Sequence, residues 1–432
     1  MHTKYLIIGS SHAGLNAADE IRVHDEEEPL TMISMENYLP YSPTVLPYIV
    51  SGKTEEQTIY LRDENYFQEK KITFLKGKKA IGVDTQAGKV SISDGSEIRY
   101  EKLLIATGAE PTLPPIPGLK EAPCHVLRTM EDAQKLRTVL EGARSAVVMG
   151  AGLVGMHAAE SFAKKGLTVA VVELLPQVLP GYFDAAASKL IQRVFSENGV
   201  TFYLNNPVIK VESGGGKSKV ILQQGQTLEG DILLVSTGVK SRIEFLANSG
   251  MRIDQGIIVD NYMHTSVENV WAAGDVAQAD DFFSDKKILN PILPNAFEQG
   301  KIAGGAMAEG EVIALTFPEA RKKDISLAYA GGVPMNTFSF YGNRAFSVGL
   351  SALDDELDYE IDKILLPTGC MYQKMVFEDD FLVGLIGINV SLEPGIIMNL
   401  IRRKVDIKAR KAEFAINPLG VSRRLMWSAW RG

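Results

Sequence analysis

Two glycine turns follow apolar strands and open helices of small residues. Tyr5-Leu6-Ile7-Ile8 runs into Gly9-Ser10-Ser11-His12-Ala13-Gly14, and Ala146-Val147-Val148-Met149 runs into Gly150-Ala151-Gly152-Leu153-Val154-Gly155. The chemistry of such a turn is close approach of backbone to an anion. Its first glycine makes the tight bend, the second lets the main chain touch a pyrophosphate, and the third lets helix pack on strand. The diphosphate then lies at the helix N-terminus, where unpaired N–H groups and the dipole favour negative charge. The second turn fills all three positions, with Leu153 and Val154 between the last two glycines and small Ala159 further along the helix. In the first, Ser11 replaces the middle glycine and adds a hydroxyl near the phosphates. His12 beside it either donates to a phosphate or is a satisfied loop histidine. A plain strand–turn–helix crossover is the alternative for either turn taken singly. Two on one chain suggest two dinucleotides held face to face, the arrangement of a flavoprotein that exchanges a hydride with a nicotinamide.

Each turn should be followed, after its helix and the next strand, by an acid for the ribose hydroxyls. Leu167-Thr168-Val169-Ala170-Val171-Val172 ends in Glu173, near the expected spacing. Its carboxylate would accept from both hydroxyls of a ribose and repel a 2′-phosphate, and Leu174-Leu175-Pro176 supplies no cation to rescue that phosphate. NAD(H) is therefore favoured over NADP(H) at the second turn. After the first turn, Leu30-Thr31-Met32-Ile33-Ser34 runs into Met35-Glu36, and Glu36 is the only nearby acid. It stands one position late, and a lone surface glutamate at a strand end is the alternative.

A third motif assigns the cofactors. Thr265-Ser266-Val267-Glu268-Asn269-Val270-Trp271-Ala272-Ala273-Gly274-Asp275 reads as a strand ending in a small-small-Gly-Asp turn. With it, the chain resembles the FAD-dependent pyridine nucleotide–disulfide oxidoreductase superfamily over residues 4 to 310. Leu104-Ile105-Ala106-Thr107-Gly108 is similar to the family's flavin-contacting strand, and Val235-Ser236-Thr237-Gly238 to its counterpart in the NAD domain. Ala296-Phe297-Glu298-Gln299-Gly300 is similar to the helix start that abuts the isoalloxazine. The resemblance implies FAD in the first turn and NAD in the second. It places FAD against Gly9, Ser11, His12, Ala13, Gly14, Glu36, Thr44, Ala106, Thr107, Gly108, Gly274, Asp275, Ala296 and Gln299, with Asp275 on the ribityl hydroxyls. It places NAD against Gly150, Gly152, Leu153, Val154, Gly155, Glu173, Thr237 and Gly238.

Sulfur narrows the chemistry. Members that reduce disulfides carry a cysteine pair after the second strand, and relatives acting on coenzyme A disulfide, peroxide or oxygen carry one cysteine there. The matching stretch here is Tyr41-Ser42-Pro43-Thr44-Val45-Leu46-Pro47-Tyr48, with Thr44 where the single cysteine would stand. A hydroxyl forms neither a mixed disulfide nor a charge-transfer thiolate. Pro43 also replaces an arginine common in nitrite- and rubredoxin-reductase relatives. The two cysteines, Cys124 and Cys370, lie elsewhere and read as incidental or buried thiols. What remains is electron transfer without a thiol relay, which needs no catalytic acid or base on the hydride step. His157 stands where relatives often have glutamate; it either neighbours the flavin and nicotinamide or merely lines the helix start. Flavin converts paired electrons to single ones, so the partner is expected to be an iron–sulfur or rubredoxin-type centre. Two distant cysteines cannot hold such a cluster, and no His/Cys spacing suggests another metal, so the partner centre lies on another polypeptide.

The elements that must position these residues follow from the motifs. The expected fold is α/β, with two Rossmann-like (ββα-type) dinucleotide-binding domains, the NAD domain inserted in the FAD domain, and a C-terminal α+β interface domain. Residues 1–112 and 246–317 form the expected FAD domain, 113–245 the NAD domain and 318–432 the interface domain. Pro111-Thr112-Leu113-Pro114-Pro115-Ile116-Pro117-Gly118 reads as a stiff crossover into the insertion. Ser213-Gly214-Gly215-Gly216-Lys217-Ser218 has the wrong order for a phosphate loop and reads as a hairpin tip. In the last part, strands are expected at Lys374–Phe377 and Leu382–Gly387, and a helix from Pro394 to Lys404.

Composition agrees with this reading. The chain has 432 residues, 45% of them hydrophobic and 23% charged, which describes an ordinary globular protein of two or three domains. A net charge of −8 argues against nucleic acid as partner. No apolar run is long enough to span a membrane, no secretory signal precedes the first strand, and the expected location is the cytoplasm. The tail, in contrast, is basic: Arg402-Arg403-Lys404, Lys408, Arg410-Lys411 and Arg423-Arg424 precede Trp427 and Trp430. Tryptophans among arginines suit a protein interface with an acidic ferredoxin-like subunit, a solvated basic helix being the alternative. Hetero-oligomerisation, and self-association through this last domain, are the matching expectations. The opening Lys4-to-Leu15 stretch, the absent cysteine and the basic tail also look like the FAD-containing, NAD-reducing subunit family of the phenylglyoxylate dehydrogenases, multisubunit 2-oxoacid oxidoreductases with thiamine diphosphate and iron–sulfur subunits. That likeness implies FAD reduced by electrons from oxidative decarboxylation on other chains, and NAD+ as acceptor. A free NADH:rubredoxin or NADH:ferredoxin reductase, and a flavin-binding assembly module with little turnover, are the alternatives.

Overall fold

The computed structural model describes residues 1–309, 328–353, 359–366 and 370–431. The chain forms two compact units. The first comprises Met1–Pro43, Glu56–Glu110 and Val239–Gly332, the second Thr44–Glu55, Pro111–Gly238 and Val333–Gly432. The chain therefore passes between units near 110 and 238, against sequence expectations of 112 and 245, and the residues after 333 share a unit with the second glycine turn. The expected boundary at 317 lies outside the described residues.

The first unit is built on a parallel sheet in the order Ile72–Leu75, Leu30–Ile33, His2–Ile8, Glu97–Ile105, Val270–Ala272. Its central strand is apolar on both faces, as a parallel strand covered on both sides must be. Leu6 and Ile7 are fully buried, each worth roughly 1.5–3 kcal/mol of transfer free energy. The N-terminal part of Glu97–Ile105 also pairs antiparallel with Lys89–Ile92, which pairs with Ala80–Asp84. The helix His12–His24 crosses the helix Leu293–Met307 at backbone contact. A β-carbon on Gly300 would stand 2.3 Å from the Ala13 carbonyl oxygen, and one on Gly304 2.4 Å from that of Ala17. Only glycine permits that crossing.

The second unit repeats the plan. Its parallel sheet runs Val200–Tyr203, Thr168–Val172, Ser145–Met149, Ile232–Val235, Cys124–His125. The strands Val208–Gly214, Lys217–Leu222 and Thr227–Gly230 form an antiparallel sheet beside it. Gly215 and Gly216, both with positive φ (61° and 79°), make the turn of that hairpin, as a two-residue connection prefers. The chain then ends in a five-stranded antiparallel sheet, ordered Met335–Phe340, Asn343–Gly349, Phe381–Ile388, Met371–Glu378, Glu360–Leu366. Helices Pro394–Arg402, Lys411–Ile416 and Pro418–Arg431 follow. This sheet is fastened to the rest of its unit by a buried ion pair: Lys374 Nζ lies 3.3 Å from Asp184 Oδ2, with side chains 0% and 4% exposed. Tyr372 donates its hydroxyl to the same oxygen at 2.6 Å. The other oxygen of Asp184 accepts the Ala187 N–H at 2.9 Å and caps the helix Ala185–Glu197.

Candidate functional site

In the first unit the strand His2–Ile8 delivers Gly9 at φ +113°, a conformation strained for any other residue. A β-carbon there would stand 2.1 Å from the Ala106 carbonyl oxygen, and one on Gly14 would stand 2.0 Å from that of Gly9. The turn is thus clamped between the neighbouring strand and its own helix. Ser11 caps the helix without a side-chain hydrogen bond, so the first-turn N–H groups keep their donor capacity. His12 is 8% exposed, its ring 4.9 Å from that of Phe297, and its Nε2 meets no hydrogen-bond partner. Burial pushes this imidazole below its ordinary pKa, against the pull of the Asp275 carboxylate.

The third motif meets the same turn. The strand Val270–Ala272 leads to Gly274 at φ +80°, whose N–H donates to Gln299 Oε1 at 2.8 Å. The position a β-carbon would take on Gly274 lies 3.1 Å from Ala13 Cβ and 3.9 Å from Ala296 Cβ. Asp275 follows, its carbonyl accepting from Ser241 Oγ at 3.0 Å. Thr107 Oγ1 donates to the Arg242 carbonyl at 3.1 Å, and Gly108 turns at φ +66°. Gly9, His12, Ala13, Gly14, Ala106, Gly274, Asp275, Ala296 and Gln299 therefore converge on one helix N-terminus. Glu36 stands beyond the end of Leu30–Ile33 and accepts the Tyr41 hydroxyl at 2.7 Å. Thr44 lies in a 3₁₀ turn, Pro43–Val45, at the start of the segment that belongs to the second unit.

The second unit repeats the plan of the first turn. Gly150 has φ +103°, and its would-be β-carbon stands 2.4 Å from the Ser236 carbonyl oxygen; that of Gly155 stands 2.1 Å from the Gly150 oxygen. Around Gly152 no atom lies within 4 Å of that point, so the middle of the turn is open to a ligand. Gly152 caps the helix Leu153–Lys164 with no side chain to spend its N–H groups. Val154 is 41% exposed at the helix start. Thr237 Oγ1 donates to the Thr112 carbonyl at 2.9 Å, and Gly238 follows at φ +110°.

Glu173, the expected ribose acceptor, is engaged with the backbone of its own unit. It is 8% exposed, and its two oxygens accept the Ala151 N–H at 2.7 Å and the Leu175 N–H at 2.9 Å. Each carboxylate oxygen has a second lone pair for a ribose hydroxyl. Leu174 and Leu175, 63% and 46% exposed, flank it.

His157 packs among aromatic rings of its own unit. Its ring lies 4.7 Å from that of Phe338 and 6.3 Å from that of Tyr48, and burial pushes its pKa down. Burial pushes both thiols, Cys124 and Cys370, upward. Among the described residues no group of three His, Cys, Asp or Glu is arranged to hold a metal, and no helix is long and apolar enough to cross a membrane. Trp427 is 58% exposed on the last helix; Trp430 lies outside the side chains described.

Sequence reasoning passed over Ser236 as a site residue. Its carbonyl matches that of Ala106, and its Oγ donates to the Met149 and Gly150 carbonyls, each at 3.1 Å. The signal was present, since Ala106-Thr107-Gly108 and Ser236-Thr237-Gly238 repeat one pattern. Phe297, against His12, carried no such mark.

A family profile described as pyridine nucleotide-disulphide oxidoreductase matches residues 3–310. The subunit epsilon of the NADH-dependent phenylglyoxylate dehydrogenase of Aromatoleum evansii is 44% identical over 433 aligned residues, covering 100% of this chain and 99% of that one. An NADH oxidase of Methanocaldococcus jannaschii is 32% identical over 77% of this chain and 76% of its own. The solved structure of an NAD-dependent persulfide reductase from A. fulgidus superposes with a TM-score of 0.82 at 28% identity, over 95% of this chain and 78% of that one.

Proposed function

Because the chain belongs to the pyridine nucleotide-disulphide oxidoreductase family, whose members bind FAD and NAD(H), we propose that it is the FAD- and NAD-binding subunit of a 2-oxoacid oxidoreductase complex. In that complex it takes electrons from an iron–sulfur subunit and reduces NAD+. The observation that carries the complex is the likeness to a phenylglyoxylate dehydrogenase subunit, which spans the full length of both chains. In this reading, residues 1–112 and 246–317 serve FAD, 113–245 serve NAD, 318–432 meet other subunits, and the location is cytoplasmic.

The residues fit the two groups on separate grounds. The orphaned, buried Nε2 of His12 needs an acceptor, which a flavin diphosphate supplies. The open space at Gly152 admits a second diphosphate. In the first turn, the N–H groups after Ser11 and the His12 imidazole would hold phosphate, and Asp275 and Glu36 would accept from ribityl and ribose hydroxyls, with Ala13 and Ala296 packed beside Gly274. In the second, the N–H groups of Leu153 and Val154 would hold the diphosphate, and Glu173 would accept from the adenosine ribose while excluding a 2′-phosphate. Bound FAD supplies the exchange between a hydride and single electrons. The protein leaves that step free of thiol chemistry, since Thr44 stands where a redox cysteine would and both cysteines lie elsewhere. Its contribution is position.

Purification from its source under anaerobic conditions tests the reading. Co-purification with thiamine-dependent and iron–sulfur subunits, and 2-oxoacid-dependent NAD+ reduction by the assembly, are expected. A lone flavoprotein that reduces rubredoxin or ferredoxin with NADH would replace it with the free-reductase reading, for which the NADH oxidase relative speaks. A flavin that NADH fails to bleach would end both.

A further inference from the structure

Within the second unit a cleft of about 440 Å³ opens among three stretches far apart in sequence. One is the helix Leu46–Ser51 with Lys53 after it, one the C-terminal half of the helix Leu153–Lys164, and one the turn at Tyr341 with Arg344. Its volume suits a small molecule. Four cations line it (Lys53, Lys164, Lys165 and Arg344) against a single carboxylate, that of Glu160.

That carboxylate is already committed. Glu160 is 7% exposed, accepts the Tyr341 N–H at 2.8 Å and pairs with Lys164. Lys53 lies over the ring of Tyr48, 5.7 Å from its centroid. Lys53, Lys165 and Arg344 have no carboxylate partner among the described residues. The Tyr341 hydroxyl is shielded from water and meets no acceptor. Lys164 and Lys165 close a helix, where the dipole alone favours cations. Lys53 and Arg344 have no such reason to be there, because they arrive from two other elements. Lys53, Lys165 and Arg344 are all exposed, so a multiply charged anion entering the cleft can reach them.

We propose that this cleft binds a small phosphate-bearing anion, at a site distinct from both glycine turns. A phosphate group carries nearly two charges and three acceptor oxygens, which matches three uncompensated cations. The guanidinium of Arg344 suits it further, since its planar fork takes two oxygens at once. The inference does not rest on the electron-transfer role.

The test is calorimetric titration of the FAD-loaded protein, saturated with NAD+ so that both turns are filled, with inorganic pyrophosphate at low ionic strength. One further binding event is expected. It should weaken at least tenfold in a Lys165→Ala, Arg344→Ala double variant and weaken also in Lys53→Ala, while NAD+ affinity and the circular dichroism of each variant stay unchanged. Absence of the event in the natural protein, or its persistence within twofold in the double variant, would overturn the proposal. So would capture of a hexaglutamate peptide through the same cations without any binding of pyrophosphate, which would make the cleft a contact for an acidic protein. Loss of flavin bleaching by NADH reads the electron-transfer role separately.

Discussion

Glu173 and Ala151 are tied to each other: the carboxylate at the end of one strand accepts, at 2.7 Å, the N–H of the residue between the first two glycines of the turn on the next. The residue expected to select the nucleotide also sets the shape of the loop that holds it. Glu173→Gln and Glu173→Ala therefore separate the two tasks. A charge-assisted hydrogen bond is worth about 1.5–3 kcal/mol, so Glu173→Ala should raise the NADH dissociation constant by roughly 10- to 100-fold. Glu173→Gln keeps one acceptor and should lose less. Equal and small losses in both, measured by fluorescence titration, would remove the carboxylate from the binding account.

The flanking leucines give the companion experiment. Replacing Glu173 by alanine and Leu174, which is 63% exposed, by arginine supplies a partner for a 2′-phosphate. The ratio of kcat/KM for NADPH over NADH should rise by at least tenfold relative to Glu173→Ala alone. An unchanged ratio would mean that this edge does not face the adenosine ribose.

Gly14 tests the first turn through flavin content. Its alanine variant drives a methyl to 2.0 Å from the Gly9 carbonyl, and relief of such overpacking costs about 1–3 kcal/mol with a shifted backbone. The purified variant should carry substoichiometric FAD by its visible absorbance. Full flavin occupancy would show that the helix can retreat without disturbing the turn.

The buried pair at the C-terminal sheet should reveal itself in stability. Lys374→Met leaves the Asp184 carboxylate buried without its cation, a loss of about 3–5 kcal/mol. Tyr372→Phe removes one hydrogen bond to the same oxygen and should cost about 1–3 kcal/mol. Urea unfolding checks both. A Lys374→Met variant as stable as the parent would mean that the buried cation contributes nothing to the fold.

Acid should destabilise the cofactor-free protein early. Burial lowers the pKa of His12, His125 and His157 from the ordinary 6.5. Between the unfolded and folded values the unfolded chain holds more protons, so stability rises with pH there. The contribution is complete above about 6.5 and is lost as pH falls through the depressed folded values. His157→Phe, which keeps a ring beside Phe338, should flatten the slope of stability against pH below that point. An identical slope would place the proton uptake elsewhere.

The two turns were legible because a glycine turn is a local object: Gly9 to Gly14 and Gly150 to Gly155 carry their whole requirement within six positions. The same holds for Ala106-Thr107-Gly108, a strand end with a short tail. Asp184 was not legible, because a helix-capping aspartate looks the same whether or not a lysine 190 positions later is buried against it. Nor was the cationic cleft, whose parts come from the segments around 48, 160 and 341 and share no periodicity. The aromatic neighbours of His157 fall in the same gap. Tyr48 and Phe338 come from segments far apart in sequence, so no spacing around Gly155 announces them.

The crossing of Ala13 on Gly300 and of Ala17 on Gly304 has a consequence for biogenesis. The helix that opens the first turn leans on one made nearly three hundred residues later, with the segment 111–238 translated between them. As the chain leaves the ribosome, that intervening segment has all of its parallel strands before the outer body can close. The nascent N-terminal sheet waits with its glycine turn unsupported, so on the proposed assignment of FAD to that turn, flavin capture is a late event in the life of the polypeptide.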